Sequence, residues 1–264
     1  MVRAITLLLF FSLLSCSLFA GDNLITLQTK GSGSTITIKQ VGNSNTTGVY
    51  CGLGSFDNSL VGAHNCNNAT ITSTVTGNSN VVYSQSVWSN HTGQSWITTV
   101  DGNDNYAVID MDESDNVSTI IQNGDDNQAW ILGSGDDNVY KIEQLGDDYY
   151  AKIYAFSDDS DVWITQEGTG NHNAYVLNYS GGNNNSTRLI QKGSGNKDAD
   201  IFFYSGGDDN DVSLTQQGNG AHTSNMKFYT NNYDVTVIQK GSTNQNAVIN
   251  NGNVTIIAAA ICSL

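Results

Sequence analysis

The segment "IEQLGDDYYAKIYAFSDDSDVWITQEG", residues 142–168, carries Gln-x-Gly twice, at Gln144/Gly146 and at Gln166/Gly168, with a paired Asp158-Asp159 between them. The motif returns after 22 residues. With its Gln taken as a marker, the chain shows Gln40, Gln122, Gln144, Gln166, Gln191, Gln216 and Gln239, and from Gln122 onward the intervals are 22, 22, 25, 25 and 23 residues. The interval from 40 to 122 is filled by "VTGNSN" at Val75 and "VDGNDN" at Val100, which keep the glycine and asparagine while Val replaces Gln. The glycines then stand at Gly42, Gly77, Gly102, Gly124, Gly146, Gly168, Gly193, Gly218 and Gly241, nine units in all. Self-similarity at such a period is the signature of a stacked repeat architecture.

Three residues after the glycine comes Asn45, Asn80, Asn105, Asn127, Asn171, Asn196 or Asn244, with Tyr149 and Ala221 as exceptions. A small residue such as Ala107, Ala129, Ala151, Ala174 or Ala199 follows, so the unit reads Gln-x-Gly-x-x-Asn-x-Ala, loosened by one residue in the longer repeats. Between markers the residues alternate with period two, which predicts strands. The column two before the marker (Ile38, Ile120, Ile142, Ile164, Leu189, Leu214 and Val237, with Ser73 and Thr98 as polar members) is expected to point inward. The next column, from Lys39 to Ile238, is mixed and belongs outside. A second turn, "GSGDDN" at Gly133 or "SGGDDN" at Ser205, divides each unit.

Two strands and two turns per unit predict an all-β fold: a β-solenoid of about nine stacked strand-turn-strand-turn coils, cross-β-like and capable of end-to-end stacking. At about 4.8 Å per coil its length is roughly 40–45 Å. Inward Gln and Asn amides are expected to hydrogen-bond to their equivalents one coil above and below, forming ladders that satisfy polar groups in a narrow core. Glycine is expected to supply a positive φ at the sharp turn, and Asn to tolerate the left-handed conformation.

Composition agrees with this reading. In 264 residues there is no Pro, and charged residues make up only 13%. Proline interrupts a strand ladder, so its absence suits a chain hydrogen-bonded into sheet along its length. The net charge of -15 disfavours nucleic acid as a partner.

The N-terminal "MVRAITLLLFFSLLSCSLFAGDN" has a cation at Arg3, an apolar run and a small residue at Ala20, the pattern of a secretory signal peptide over residues 1–20. Its apolar run is too short for a full membrane span; a lipoprotein signal ending at Cys16 is the alternative. Residues 21–32 form a short lead-in, 33–257 the repeats with an insertion at 46–68, and 258–264 an apolar tail. Cys51 and Cys66 bracket that insertion, a plausible disulfide in an oxidising compartment, which leaves Cys262 as the odd cysteine. No metal or cofactor is expected, since there is no Cys-x-x-Cys pair and the four histidines are scattered. Neither a Gly-x-Ser-x-Gly elbow, a His-Glu-x-x-His nor a phosphate loop is present, so the chain does not read as an enzyme.

The motif Gln-x-Gly-x-x-Asn-x-Ala, repeated in an exported chain with an apolar residue two before the Gln, resembles the curlin repeat of curli amyloid subunits. The best matches are Gln122-Gly124-Asn127-Ala129 and, with Tyr149 in the Asn place, Gln144-Gly146-Ala151. The resemblance spans about residues 33 to 257 and implies a secreted functional amyloid that stacks head to tail into cell-surface fibres of a biofilm matrix and supports adhesion. It also implies a nucleator subunit and an outer-membrane secretion channel as partners. A Gly-rich leader after the signal is missing, and the 25-residue units and the apolar tail depart from a plain major subunit. A minor or nucleating subunit therefore stays open, as does a non-polymerising solenoid adhesin that binds ice or carbohydrate.

Charge suggests a control on assembly. Asp125, Asp126, Asp147 and Asp148 on one edge, and Asp136, Asp137, Asp158 and Asp159 on the other, are expected to lie near like charges in adjacent coils. Acid or divalent cations would then speed stacking. The alternative is that these turn residues only keep the chain soluble.

Overall fold

The computed structural model describes residues 5–9, 14–19, 24–29, 33, 35–52, 69–87, 93, 95–111, 117–179, 184–204, 210–229, 233–241, 245–250 and 254–262. All regular structure among them is β, with no helix. The odd-numbered strands are β1 (Ile5–Leu9), β3 (Ile25–Thr29), β5 (Thr47–Gly52), β7 (Val82–Val87), β9 (Ala107–Met111), β11 (Ala129–Asp136), β13 (Tyr150–Asp158), β15 (His172–Asn178), β17 (Lys197–Phe203), β19 (His222–Phe228) and β21 (Gln245–Asn250). The even-numbered strands are β2 (Leu14–Phe19), β4 (Thr35–Val41), β6 (Thr70–Thr74), β8 (Ser95–Thr99), β10 (Val117–Ile121), β12 (Val139–Gln144), β14 (Asp161–Thr169), β16 (Ser186–Ser194), β18 (Asn210–Gln217), β20 (Tyr233–Gly241) and β22 (Val254–Cys262).

Odd strands make one sheet and even strands the other, each in strict chain order and each strand parallel to the one two ahead. Successive strands thus alternate between two facing sheets, and the fold is a β-solenoid. Among the described residues each sheet has eleven strands, two more than the nine repeat markers, which stand at or just past the ends of the even strands from β4 to β20. The two further even strands carry no Gln-x-Gly: β2 lies within residues 1–20, and β22 runs from the end of the repeat segment into the apolar tail, with Ala260 opposite Gln239. β5 also takes up the first part of the segment read as an insertion, because Thr47–Gly52 pairs with β3 and β7 on either side.

Alternation decides which side chains enter the core. In β14, β16, β18 and β20 every second residue as far as the Gln is buried, and the residues two and four before the Gln join the core shared with the odd sheet. Ile38, Ser73, Thr98, Ile120, Ile142, Ile164, Leu189, Leu214 and Val237 are all at most 4% exposed. Burying each of the larger aliphatic members contributes about 1.5–3 kcal/mol, which is what holds a molecule this thin together. Volume is matched across rungs: Trp96 sits in register between Ile71 and the small Ser118, and Tyr140 follows Ser118. Across the core the Tyr140 ring occupies the place a Cβ would take at Gly133, 2.4 Å away.

Candidate functional site: side-chain ladders and open sheet ends

The marker glutamines end the even strands with their side chains turned into the core, and all seven are buried. Gln191 Nε2 donates to Gln166 Oε1 at 2.9 Å, Gln216 to Gln191 at 2.9 Å and Gln239 to Gln216 at 2.7 Å. Gln122 Nε2 donates the other way along the stack, to Gln144 Oε1 at 2.7 Å. Most of these amides also reach the carbonyl at the start of the next odd strand: Gln40 to Thr46, Gln122 to Gln128, Gln166 to Asn173, Gln191 to Asp198 and Gln216 to Thr223, at 2.7–2.8 Å. One side chain therefore links neighbouring coils and closes its own arch. Gln144 Nε2, at the junction of the two runs, has no partner, and neither has Gln122 Oε1, at the end of its run next to the Val100 coil. Val75 and Val100, both buried, replace the amide with an apolar filler.

Asn45, Asn80, Asn105 and Asn127 form a second ladder. Asn80 Nδ2 donates to Asn45 Oδ1 at 2.7 Å, Asn105 to Asn80 at 2.6 Å, and Asn127 to Asn105. The expectation that Asn171 and Asn196 continue this ladder is not met: both are exposed on the arch. The column continues through Tyr149, which stands in the Asn place, and because the longer repeats hold one more residue between Gln and the next buried position it then passes to His172, Lys197 and His222, one per coil in register. Asn244 lies outside the described residues.

That replacement column has its own chemistry. His172 stacks on Tyr149 with ring centroids 4.6 Å apart, and Tyr149 Oη donates to the Glu167 carbonyl at 2.7 Å. Lys197, 1% exposed, gives its ammonium to the carbonyls of Gly193, Gly195 and Asn219 at 2.8, 2.9 and 3.2 Å. Burial lowers the Lys197 pKa, and the three carbonyls are its compensation. Both nitrogens of His172 and of His222 are buried without partners. Burial, and then the Lys197 charge, push His172 down to about 4 and lower His222 as well, so both are neutral at pH 7.

The turn glycines divide into two kinds. In the long arches Gly168, Gly193 and Gly218 have φ of 134°, 118° and 123°, as expected. In the short arches Gly77, Gly102, Gly124 and Gly146 do not have positive φ; the following residue does, with Asn78 at 91°, Asn103 at 79°, Asp125 at 73° and Asp147 at 76°. Gly42 shares the conformation with Asn43, and Gly241 lacks it. Asn and Asp tolerate this region because a short polar side chain compensates locally. Here Asn103 Oδ1 accepts from the Asn78 backbone N–H at 2.6 Å, one coil away.

A further ladder, on the opposite arch, escaped the sequence reading. Asn185 Nδ2 donates to Asn210 Oδ1 at 3.0 Å, and Asn185 Oδ1 accepts from Ser160 N and Oγ, both at 2.9 Å. Its signal was present in the final Asn of "GSGDDN", "SGGNNN" and "SGGDDN", at Asn138, Asn185 and Asn210. On the acidic edges, Asp126 has a raised pKa through desolvation, then through the carboxylates of Asp104 and Asp148. On the other edge Asp137 and Asp159 adopt φ of 51° and 49°, and Asp136 pairs in backbone register with Asp158. Among the described residues no group of His, Cys, Asp and Glu is arranged to hold a metal ion. Cys51 lies in β5, whereas Cys66 falls outside the described residues, as does most of the insertion.

Among the described residues the sheets end in β1 and β2 on one side and in β21 and β22 on the other, so each terminal strand has one edge without a partner among the described strands. No helix among the described residues is long and apolar enough to cross a membrane. Comparison of the chain with protein-family models, curated proteins and solved structures returns no match in any of the three.

Proposed function

We propose that this chain is a secreted structural subunit that stacks end to end into a curli-like extracellular amyloid, with nine coils, seven marked by Gln-x-Gly and two by Val-x-Gly, as its repeating body. The observation that carries the reading is the pairing of parallel, in-register sheets with amide ladders at their rims, terminated by strands with an unpaired edge. Unpaired edges template the addition of another chain, and an amide ladder repeats across a junction at no geometric cost. Removal of a signal over residues 1–20 would expose β3 and β4 as the leading edge, while β21 and β22 form the trailing one. The partner is thus a second copy of the chain, with a nucleator and a secretion channel as the resemblance implies; the function is structural rather than enzymatic.

The test is thioflavin-T fluorescence on freshly desalted mature protein, followed by diffraction from the product. The expected result is a lag, abolition of that lag by preformed fibres, and reflections near 4.7 and 10 Å. A stable monomer with strand-type circular dichroism and no response to seeds would overturn the proposal and leave a non-polymerising solenoid adhesin.

A further inference from the structure

Near the C-terminal ends of the odd strands four aromatic side chains stand in a row, one per coil. Phe156 lies in β13, and Tyr179, Tyr204 and Tyr229 come directly after β15, β17 and β19. Asn178, Phe203 and Phe228 are buried, so the tyrosine that follows each is turned away from the core. Backbone pairing runs on through these positions: Tyr179 N donates to Ala155 O at 2.9 Å, Tyr204 N to Asn178 O at 3.0 Å and Tyr229 N to Phe203 O at 3.1 Å. The row tightens toward its end. Ring centroids are 5.8 Å apart for Phe156 and Tyr179, 5.7 Å for Tyr179 and Tyr204, and 4.5 Å for Tyr204 and Tyr229, with ring planes inclined at 51°, 37° and 19°. Tyr204 and Tyr229 are thus stacked, and their hydroxyls hydrogen-bond to each other. The Lys227 ammonium, 4.5 Å from the Tyr229 ring centre, donates to the Tyr229 hydroxyl. Elsewhere the pairs Tyr83 with Tyr106 and Tyr154 with Tyr175 meet edge-on, at 6.1 and 5.7 Å.

We propose that Tyr204 and Tyr229 are a site of oxidative modification, at which hydrogen peroxide, acting through a peroxidase, joins the two rings into a dityrosine between adjacent coils. In the first step each phenol gives up one electron and its hydroxyl proton and becomes a phenoxyl radical. The unpaired electron is shared onto the carbons ortho to the oxygen, and one such carbon from each ring forms the new C–C bond. Both carbons then lose their hydrogen and both oxygens regain one, which restores two phenols. Peroxide takes up the two electrons and two protons removed and leaves as two molecules of water. Three features single out this pair. The shared hydroxyl hydrogen bond holds the ortho carbons of the two rings on the same side, which the edge-on pairs do not do. Both rings are open to an oxidant, at 39% and 46% exposure. The hydrogen bond from Lys227, with a second from the Tyr204 O–H, holds the Tyr229 pKa below its ordinary value against the opposing effect of desolvation, and a phenolate gives up an electron more readily than a phenol. The product is a staple. A covalent link across this 25-residue interval restricts the unfolded chain as a disulfide does and resists local opening of the two coils.

The inference does not rest on fibre formation, and the experiment is done on freshly desalted, dilute soluble chain before any fibre appears. The chain is treated with hydrogen peroxide and a haem peroxidase, and the monomer is recovered for dityrosine fluorescence, intact mass and a tryptic map. Cleavage after Lys197, Lys227 and Lys240 places the two rings on separate peptides, 198–227 and 228–240. The expected result is dityrosine fluorescence in the monomer, a loss of two hydrogen atoms from its mass, and those two peptides joined through Tyr204 and Tyr229. Tyr204→Phe and Tyr229→Phe keep the ring and are each expected to lose most of the signal, while Tyr154→Phe/Tyr175→Phe retains it. Strand-type circular dichroism of the variants shows that the fold persists. Absence of dityrosine from the monomer, cross-links confined to covalent dimers, an undiminished yield in Tyr229→Phe, or a main product joining Tyr154 to Tyr175 or Tyr83 to Tyr106 would overturn the proposal. The cross-linked chain is also expected to unfold at a higher denaturant concentration than the untreated one; an unchanged midpoint would overturn the stapling role.

Discussion

Gly193 and Gly102 occupy equivalent places in the repeat and are under opposite constraints. A Cβ at Gly193, with φ of 118°, would lie 1.8 Å from the carbonyl oxygen of Gly168 in the neighbouring coil, whereas a Cβ at Gly102 would meet nothing within 4 Å. Gly193→Ala is therefore expected to cost roughly 2–3 kcal/mol or more, and Gly102→Ala to stay within about 0.5 kcal/mol; denaturant unfolding midpoints check both. His172 makes a second prediction, on pH. Its ordinary pKa of 6.5 is depressed to about 4 in the folded chain, so on acidification the unfolded state binds the proton first. Stability present above pH 6.5 is lost as pH falls toward 4, by up to about 3 kcal/mol, and no more is lost below that from this residue. His172→Asn, which cannot titrate, is expected to flatten the fall in unfolding midpoint over that window; an unchanged profile would show that His172 is not its source. Neither behaviour was legible beforehand: Gly193 and Gly102 look alike as motif glycines, and His172 looks like one scattered histidine until the register places it beside Lys197.

In the strands and arches, the 25-residue coils differ from the 22-residue ones in how the extra length is absorbed. Short arches close through a three-residue turn, with Asn80 N donating to Asn78 O at 2.6 Å and Asn127 N to Asp125 O at 2.7 Å. Long arches run through Gly-x-Gly, whose backbones stack so closely that Gly195 approaches the Gly170 carbonyl and Gly220 the Gly195 carbonyl. The carbonyls lining this tighter passage are what Lys197 satisfies. Within the strands, Gln191 is the most connected rung, because it donates to Gln166, His172 O and Asp198 O and accepts from Gln216. Gln191→Ala removes those bonds and leaves buried partners unpaired, at an expected cost of about 2–4 kcal/mol in unfolding free energy. A loss below about 1 kcal/mol would mean that the ladder contributes little beyond the apolar column beside it. The period-two alternation and the Gln column were plain in the sequence; the Asn138, Asn185 and Asn210 column was not, because turn-forming residues and ladder-forming residues are the same types.

For the assembled chain the decisive features are its ends and its acidic edges. β22 pairs with β20 over Val254–Cys262, and its outer edge is the surface on which the next copy would add. Adjacent backbone N–H groups of a strand point to opposite sides, so Thr255→Pro/Ile256→Pro removes an outward donor whichever of the two faces out. Seeded elongation is expected to slow by about tenfold or more, and elongation at the wild-type rate would place growth at the other end alone. Acid acts on the edges in the opposite sense to its action on His172. Desolvation, and then repulsion from Asp104 and Asp148, raise the Asp126 pKa, so protonation or calcium binding relieves stress that stacking would add to. Fibre lag times are expected to shorten below about pH 5 and with millimolar calcium; equal lags under all conditions would refute the electrostatic control.

The repeat period, the inward apolar column, the seven glutamines and the solenoid class were determined by the sequence, because alternation and self-similarity are local properties that any register of stacking preserves. Only the tertiary structure decided which residues share a column. One extra residue in each long arch moves the buried position from Asn171 to His172 and from Asn196 to Lys197, and that choice depends on how closely two glycine backbones pack in neighbouring coils. The aromatic row has the same origin. Phe156, Tyr179, Tyr204 and Tyr229 lie at intervals of 23, 25 and 25 residues, and they become a row only when the sheet register sets them ring beside ring.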